Sequence, residues 1–223
     1  MSATDPQAPH GPGWRGWGRA ARTVGLILLV GALGLFAWWW RDLRLRPHVL
    51  RRSGAAVERL LYDAGWVTEG VEGGPVLYMV AVRRCPDCLR IESEEFSRLQ
   101  RAGVDLRVVM VAPRFGSTSI ERATVAELWD GRDWQDYETW TGTAERAWTA
   151  PDIPPADGDP RRIALVERGR SLVDRLRPLL AQDGLRFGYP LLVWRDPRGQ
   201  VRACTCRTRD TYAYIRRDLG APS

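Results

Sequence analysis

The stretch PVLYMVAV, residues 75–82, does most to limit what this chain can fold into. It is apolar throughout and of strand length, the pattern of a strand covered on both faces. Arg83 and Arg84 end it, and CPDC follows at 85–88. The segment CLRIESEEFSRLQRAG then reads as a helix, with Leu89, Phe96 and Leu99 on its apolar side and Gly103 as its stop. VDLRVVMVA, residues 104–112, reads as a second strand. Strand, helix and strand make a βαβ unit with a right-handed crossover, which predicts an α/β fold.

The remainder divides by composition. Residues 117–184 hold three helical patterns, SIERATVAELWDG, DWQDYETWTG and DPRRIALVERGRSLVDRLRPLLAQDG, with a proline-rich connector before the last. YPLLVWRDPRGQVRACTC then offers two short strands joined by an Asp-Pro-Arg-Gly turn. DTYAYIRRDLG closes the chain as a helix with Asp210 as its expected N-cap. The globular part is expected to start near Gly74 and run to residue 220, with the helical insertion at 117–184. No internal repeat is found.

Toward the N-terminus, residues 1–22 are rich in Pro, Gly and Ala and read as a disordered tail. Residues 23–40, TVGLILLVGALGLFAWWW, are uncharged, apolar and long enough to cross a bilayer as a helix, ending in three interfacial tryptophans. The run is longer than a signal-peptide core and lacks a small-x-small site before its charged flank, which favours an uncleaved anchor. Residues 41–73 carry a juxtamembrane helix, with Val57, Leu60, Leu61 and Ala64 at helical spacing and Gly65 as its stop. The formal net charge is +6 with no lysine, so every basic side chain apart from the histidines is an arginine. The arginines are interspersed with Asp and Glu, apart from a cluster beside residue 40. That cluster suits anionic headgroups, and nucleic acid is not an expected partner.

A dithiol catalyst needs an accessible thiolate and a second thiol able to close back on it. Two intervening residues at a helix start provide this, because unpaired N–H groups there stabilise a thiolate. Cys85 at the strand-to-helix corner is the expected exposed nucleophile, and Cys88 in the first turn the more buried resolving thiol. Pro86 fits the first turn, where its missing N–H is not needed. Arg83 and Arg84 are expected to lower the Cys85 pKa and Asp87 to oppose them. A metal site would need two more ligands. Cys204 and Cys206 are spaced more tightly than a zinc knuckle, and His10 and His48 lie outside the expected domain, so no metal is assigned.

CPDC at the first helix, GYP opening the third strand and the order of elements resemble the thioredoxin fold, a mixed central sheet flanked by helices. The insertion ATVAELWDGRDWQDYETW resembles that of the periplasmic disulfide isomerases of the DsbC and DsbG type. The resemblance spans about 74–220 and implies that Cys85 attacks substrate disulfides and Cys88 resolves the mixed disulfide. It also implies that Pro190 is cis and faces the dithiol, with the Tyr189 backbone contacting bound peptide. No cofactor beyond the redox-active Cys85–Cys88 pair is implied. The family's N-terminal dimerisation domain has no counterpart between Trp40 and Gly74. Cys204 and Cys206, near the active-site edge of the last strand, form a second redox pair, form a strained small-loop disulfide that relays electrons, or are two thiols incidental to a strand.

Protein thiols and disulfides are the expected substrates, with a membrane electron donor or acceptor as a further partner. An oxidising compartment is where such chemistry is needed, which places the domain in the bacterial periplasm on a single inner-membrane anchor. The count of Arg41, Arg44, Arg46, Arg51 and Arg52 against Arg15, Arg19 and Arg22 points the other way. The competing readings are a non-catalytic scaffold recruiting a partner through Trp129, Trp134, Trp140 and Trp148, and a cysteine-based metal protein.

Overall fold

The computed structural model describes residues 17–71 and 73–222. The chain divides into two units, Met1–Leu45 and Arg46–Ser223. In the first, α1 (Trp17–Leu45) is one continuous helix, and its apolar side chains from Val24 to Trp40 are exposed. Among the described residues, no helix is long and apolar enough to cross a membrane. Of the residues 1–22 expected to be a disordered tail, 17–22 are helical. Residues 1–16 lie outside the described residues, and helix begins at Trp17. The prolines that set the tail's composition all precede residue 13, whereas 19–22 carry only Arg and Ala, which favour helix.

The second unit begins well before Gly74. β1 (His48–Val49) pairs antiparallel with β5 (Val201–Cys204), and α2 (Gly54–Tyr62) buries Val57 and Leu61 in the core. The helix expected within 41–73 is present as α2 and packs on the sheet, and the strand before it, β1, extends the unit beyond the boundary expected near Gly74. Asp183 fixes the join. Its carboxylate accepts from the amides of Arg51, Arg52 and Ser53 and from the Ser53 hydroxyl at 2.7 Å.

Five strands stand in the order β1-β5-β4-β2-β3. β2 (Val76–Ala81) and β3 (Asp105–Met110) are parallel, while β4 (Leu191–Arg195) runs antiparallel to both β2 and β5. β2 is an interior strand between β4 and β3, and Leu77 to Ala81 are all buried, as a strand covered on both faces must be. The Asp-Pro-Arg-Gly segment makes the β4–β5 turn, held by Asp196 accepting from the amides of Arg198 and Gln200. α8 (Arg209–Leu219) closes the chain with Thr208 at its N-cap. Asp210, the expected cap, sits inside the first turn.

Between β2 and β3 the helix is interrupted. α3 (Pro86–Ile91) runs into a π-turn, Glu92–Phe96, and continues as α4 (Ser97–Arg101). The extra residue in the π-turn shifts the buried face, so Ile91 joins Phe96 and Leu99 in the core. Leu89, expected on that face, is 37 % exposed.

The insertion is helical as expected: α5 (Ser119–Gly131), α6 (Trp134–Gly142) and α7 (Pro160–Gln182). Trp129 docks it. The indole N–H donates to the Met110 carbonyl at 2.8 Å. Gly65 and Gly169 leave room for the ring, since a Cβ on Gly65 would come within 2.5 Å of it and one on Gly169 within 3.2 Å.

Asp183 makes a checkable contribution to stability. Burial raises its pKa, but the Ser53 hydroxyl and the three amides outweigh this and hold the carboxyl below its usual range. The contribution of a depressed carboxylate is full above the unfolded value of 3.8 and is lost as pH falls through the folded value. Asp183→Ala should cost about 1–2 kcal/mol at neutral pH by denaturant unfolding, with the difference from wild type shrinking in acid.

Candidate functional site

The site lies where β2 ends. After Ala81 the chain turns through residues 82–84, and Cys85 becomes the N-cap of α3 in an extended conformation (φ −93°, ψ 105°). Pro86 occupies the first helical position, where no N–H is required. Cys85 and Cys88 form a disulfide with a Cα–Cα separation of 5.2 Å. The Cys88 amide donates to the Cys85 sulfur at 3.1 Å. A hydrogen bond of this kind favours the thiolate once the disulfide is reduced. Cys85 is less exposed than the sequence suggests, at 8 % against 3 % for Cys88, because the disulfide tucks it against the helix start.

The charges near the thiols are committed elsewhere. Arg83 is buried, donates to the Thr143 carbonyl and lies 5.7 Å from the Trp140 ring, tying the β2 end to the insertion. Arg84 pairs with Glu145 at 2.6 Å. Asp87 accepts from Arg90 and lies 3.9 Å from the Arg207 guanidinium. Each of Arg83, Arg84 and Asp87 thus has a partner of its own, and the Cys88 amide is the contact made directly to the sulfur.

The Tyr189–Pro190 peptide bond is cis. Pro190 precedes β4, and Leu191 beside it pairs with Val80 of β2, at the β2 end from which the CPDC corner departs. Tyr189 stacks edge-on against Phe187 at 5.1 Å, and burial pushes its phenol up to about 12. It also lines a cleft of about 270 Å³ with Val111, Pro113, Phe115, Val173 and Arg177. Phe115 is 91 % exposed beside that cleft. The loop position of this aromatic within PRFGS was the signal available to sequence reading. A larger cavity, about 670 Å³, opens at the other end of the sheet against Val76 and Arg195 and does not touch the thiols.

Glu92, one turn beyond Cys88, escaped the sequence reading. It accepts from the Tyr137 hydroxyl at 2.9 Å and from the Thr141 hydroxyl at 2.6 Å. Burial raises its pKa against the opposing effect of those hydrogen bonds and of Arg83. Cys204 and Cys206 form a second disulfide at the end of β5. With both pairs closed no described cysteine is free, and among the described residues no group of three or more His, Cys, Asp and Glu is placed to hold a metal ion.

Glu92 yields a signed pH prediction. A carboxyl raised by burial is least costly below its unfolded value of 4.5 and destabilises the fold as pH rises through its folded value. Glu92→Gln should therefore match wild type near pH 4 and exceed it in thermal midpoint at neutral pH.

Comparison with protein-family models and with curated protein sequences finds no match. Solved structures do match. BcfH of Salmonella enterica Typhimurium is 15% identical over 89% of this chain and 93% of that one, with a TM-score of 0.50. ScsC of Proteus mirabilis, in a transitional conformation, is 13% identical over 91% of each chain, with a TM-score of 0.46. The thiol-disulfide exchange protein α-DsbA2 of Wolbachia pipientis is 12% identical over 76% of this chain and 94% of that one, at 0.42. At 15% identity the likeness to BcfH is one of fold. The second unit has a thioredoxin-like fold, a mixed five-stranded sheet flanked by helices.

Proposed function

We propose that the chain is a thiol–disulfide oxidoreductase acting on protein substrates through Cys85 and Cys88. The observation that carries this reading is the Cys85–Cys88 disulfide at the N-cap of α3, with the Cys88 amide aimed at the Cys85 sulfur. In the reduced protein, the Cys85 thiolate attacks a substrate disulfide. One substrate sulfur leaves as a thiol and a mixed disulfide remains. Cys88 then attacks Cys85, closing the 85–88 bond and releasing the second substrate thiol. Substrate oxidation runs the same steps in reverse. The cis Tyr189–Pro190 segment and its cleft are the surface on which a substrate peptide would lie, with Tyr189 and the exposed Phe115 as contacts. No cofactor beyond the dithiol takes part in these steps.

Two finer readings belong to the same proposal. The insertion's resemblance to the DsbC and DsbG type supports isomerase chemistry, and the lack of a dimerisation segment between Trp40 and Gly74 favours simple oxidation or reduction. The apolar run 23–40 supports a single inner-membrane anchor with the domain in the periplasm, where a membrane electron donor or acceptor could reach it.

Cys85→Ser should abolish insulin reduction, and Cys88→Ser should accumulate mixed disulfides with substrate proteins on non-reducing gels. Full activity in both variants would overturn the oxidoreductase reading. For topology, alkaline phosphatase fused after Ser223 should be active, and an inactive fusion would place the domain in the cytoplasm.

A further inference from the structure

The Cys204–Cys206 disulfide adjoins the site and the oxidoreductase steps leave it unused. Its place in the fold is specific. Cys204 pairs with Leu192, two residues after the cis proline. Thr205 lies against Gly188, where an added Cβ would sit 3.4 Å from its methyl group. The residue after Cys206 is tied to the CPDC helix: Arg90 donates both to Asp87, between the two active-site cysteines, and to the Arg207 carbonyl. Arg90 also reaches the Tyr212 hydroxyl at 3.4 Å, so the segment following β5 is held against α3 at both Arg207 and Tyr212. The CPDC helix, the cis proline and CTC therefore converge at one end of the sheet.

A purely structural role accounts poorly for this bond. A disulfide stabilises chiefly by restricting the unfolded chain, and the effect shrinks as the loop shortens. Here a single residue separates the cysteines. Direct attack by outside thiols on Cys206 is also restricted, since it is 1 % exposed.

We propose that Cys204–Cys206 is a second redox couple that exchanges electrons internally with Cys85–Cys88. The inference rests on the oxidoreductase reading of the first pair. The Cys85 thiolate attacks one sulfur of the Cys204–Cys206 bond. That bond breaks, and the other sulfur leaves and takes a proton. Cys88, having lost its proton, attacks Cys85 in the resulting internal mixed disulfide. The Cys85–Cys88 bond forms, and the second CTC sulfur leaves and is protonated. Two electrons and two protons pass between the pairs, and no outside oxidant is consumed. The protein thereby stores two disulfide equivalents, only one of which faces substrate.

The test uses the full-length protein. In the double variants Cys88→Ser/Cys204→Ser and Cys88→Ser/Cys206→Ser, mild oxidation with oxidised glutathione followed by peptide mapping should reveal a bond from Cys85 to the remaining CTC cysteine in at least one variant. Separate glutathione adducts in both would overturn the proposal. A second readout keeps the fold intact. Reduction of Cys204–Cys206 by reduced glutathione, followed by differential alkylation, should slow about tenfold or more in Cys85→Ser relative to wild type. An equal rate in the two would overturn the internal route. If insulin turnover survives in a Cys204→Ser/Cys206→Ser variant while both exchange readouts fail, the relay is wrong and the oxidoreductase reading stands. If Cys85→Ser keeps insulin turnover, the underlying reading is what fails.

Discussion

The hydrogen bond from the Cys88 amide to the Cys85 sulfur is the contact on which the rest of the site depends. It exists because an interior strand stops, a proline opens the first turn, and the amide at the third helical position faces back toward Cys85, donating to its carbonyl as well as to its sulfur. Each part has its own support. β2 is fixed by β3 and β4 on either side, so its exit point is set by the sheet. Arg83 is locked into the insertion through Thr143 and Trp140, which fixes the corner that Cys85 occupies. The arginines that sequence reading placed beside the thiol serve as struts between layers, and their charge is spent on Glu145 and on a carbonyl.

The insertion reads the same way. Trp129 sits against two glycines far apart in sequence, so its slot is built jointly by the turn after α2 and by α7. Through the Met110 carbonyl it reaches the end of β3, beside the strand end that leads to the dithiol. An all-helical insertion thus supports the CPDC corner from behind, while the cleft lined by Tyr189 and Phe115 stays open in front.

The legible parts of the fold were those whose pattern is local. The buried strand 76–81, its parallel partner 105–110, the Asp-Pro-Arg-Gly turn and the helical insertion all carry periodicity or turn chemistry that a sequence displays. Other features needed the assembled chain. A two-residue strand such as His48–Val49 has no pattern of its own, so the domain boundary was set too late. Leu89 was assigned to the core because α-helical spacing was carried through a π-turn that no residue type announces. Asp183 looks like any residue at a helix end, and its role shows only when the chain 130 residues earlier folds back onto it. Within the site, CPDC and Tyr189-Pro190 were visible as motifs. Phe115 showed only as a loop aromatic and Glu92 not at all, since the hydroxyls bound by Glu92 and the exposure of Phe115 are tertiary facts.

The measurement closest to the central claim is the pKa of Cys85 in the reduced protein, followed by thiolate absorbance with the Cys85→Ser variant as reference. A thiol that caps a helix and accepts from the Cys88 amide should titrate well below the value of about 8.5 for a free cysteine. A Cys85 that titrates at or above that value would contradict the account, because the helix start would then do nothing to prepare the nucleophile.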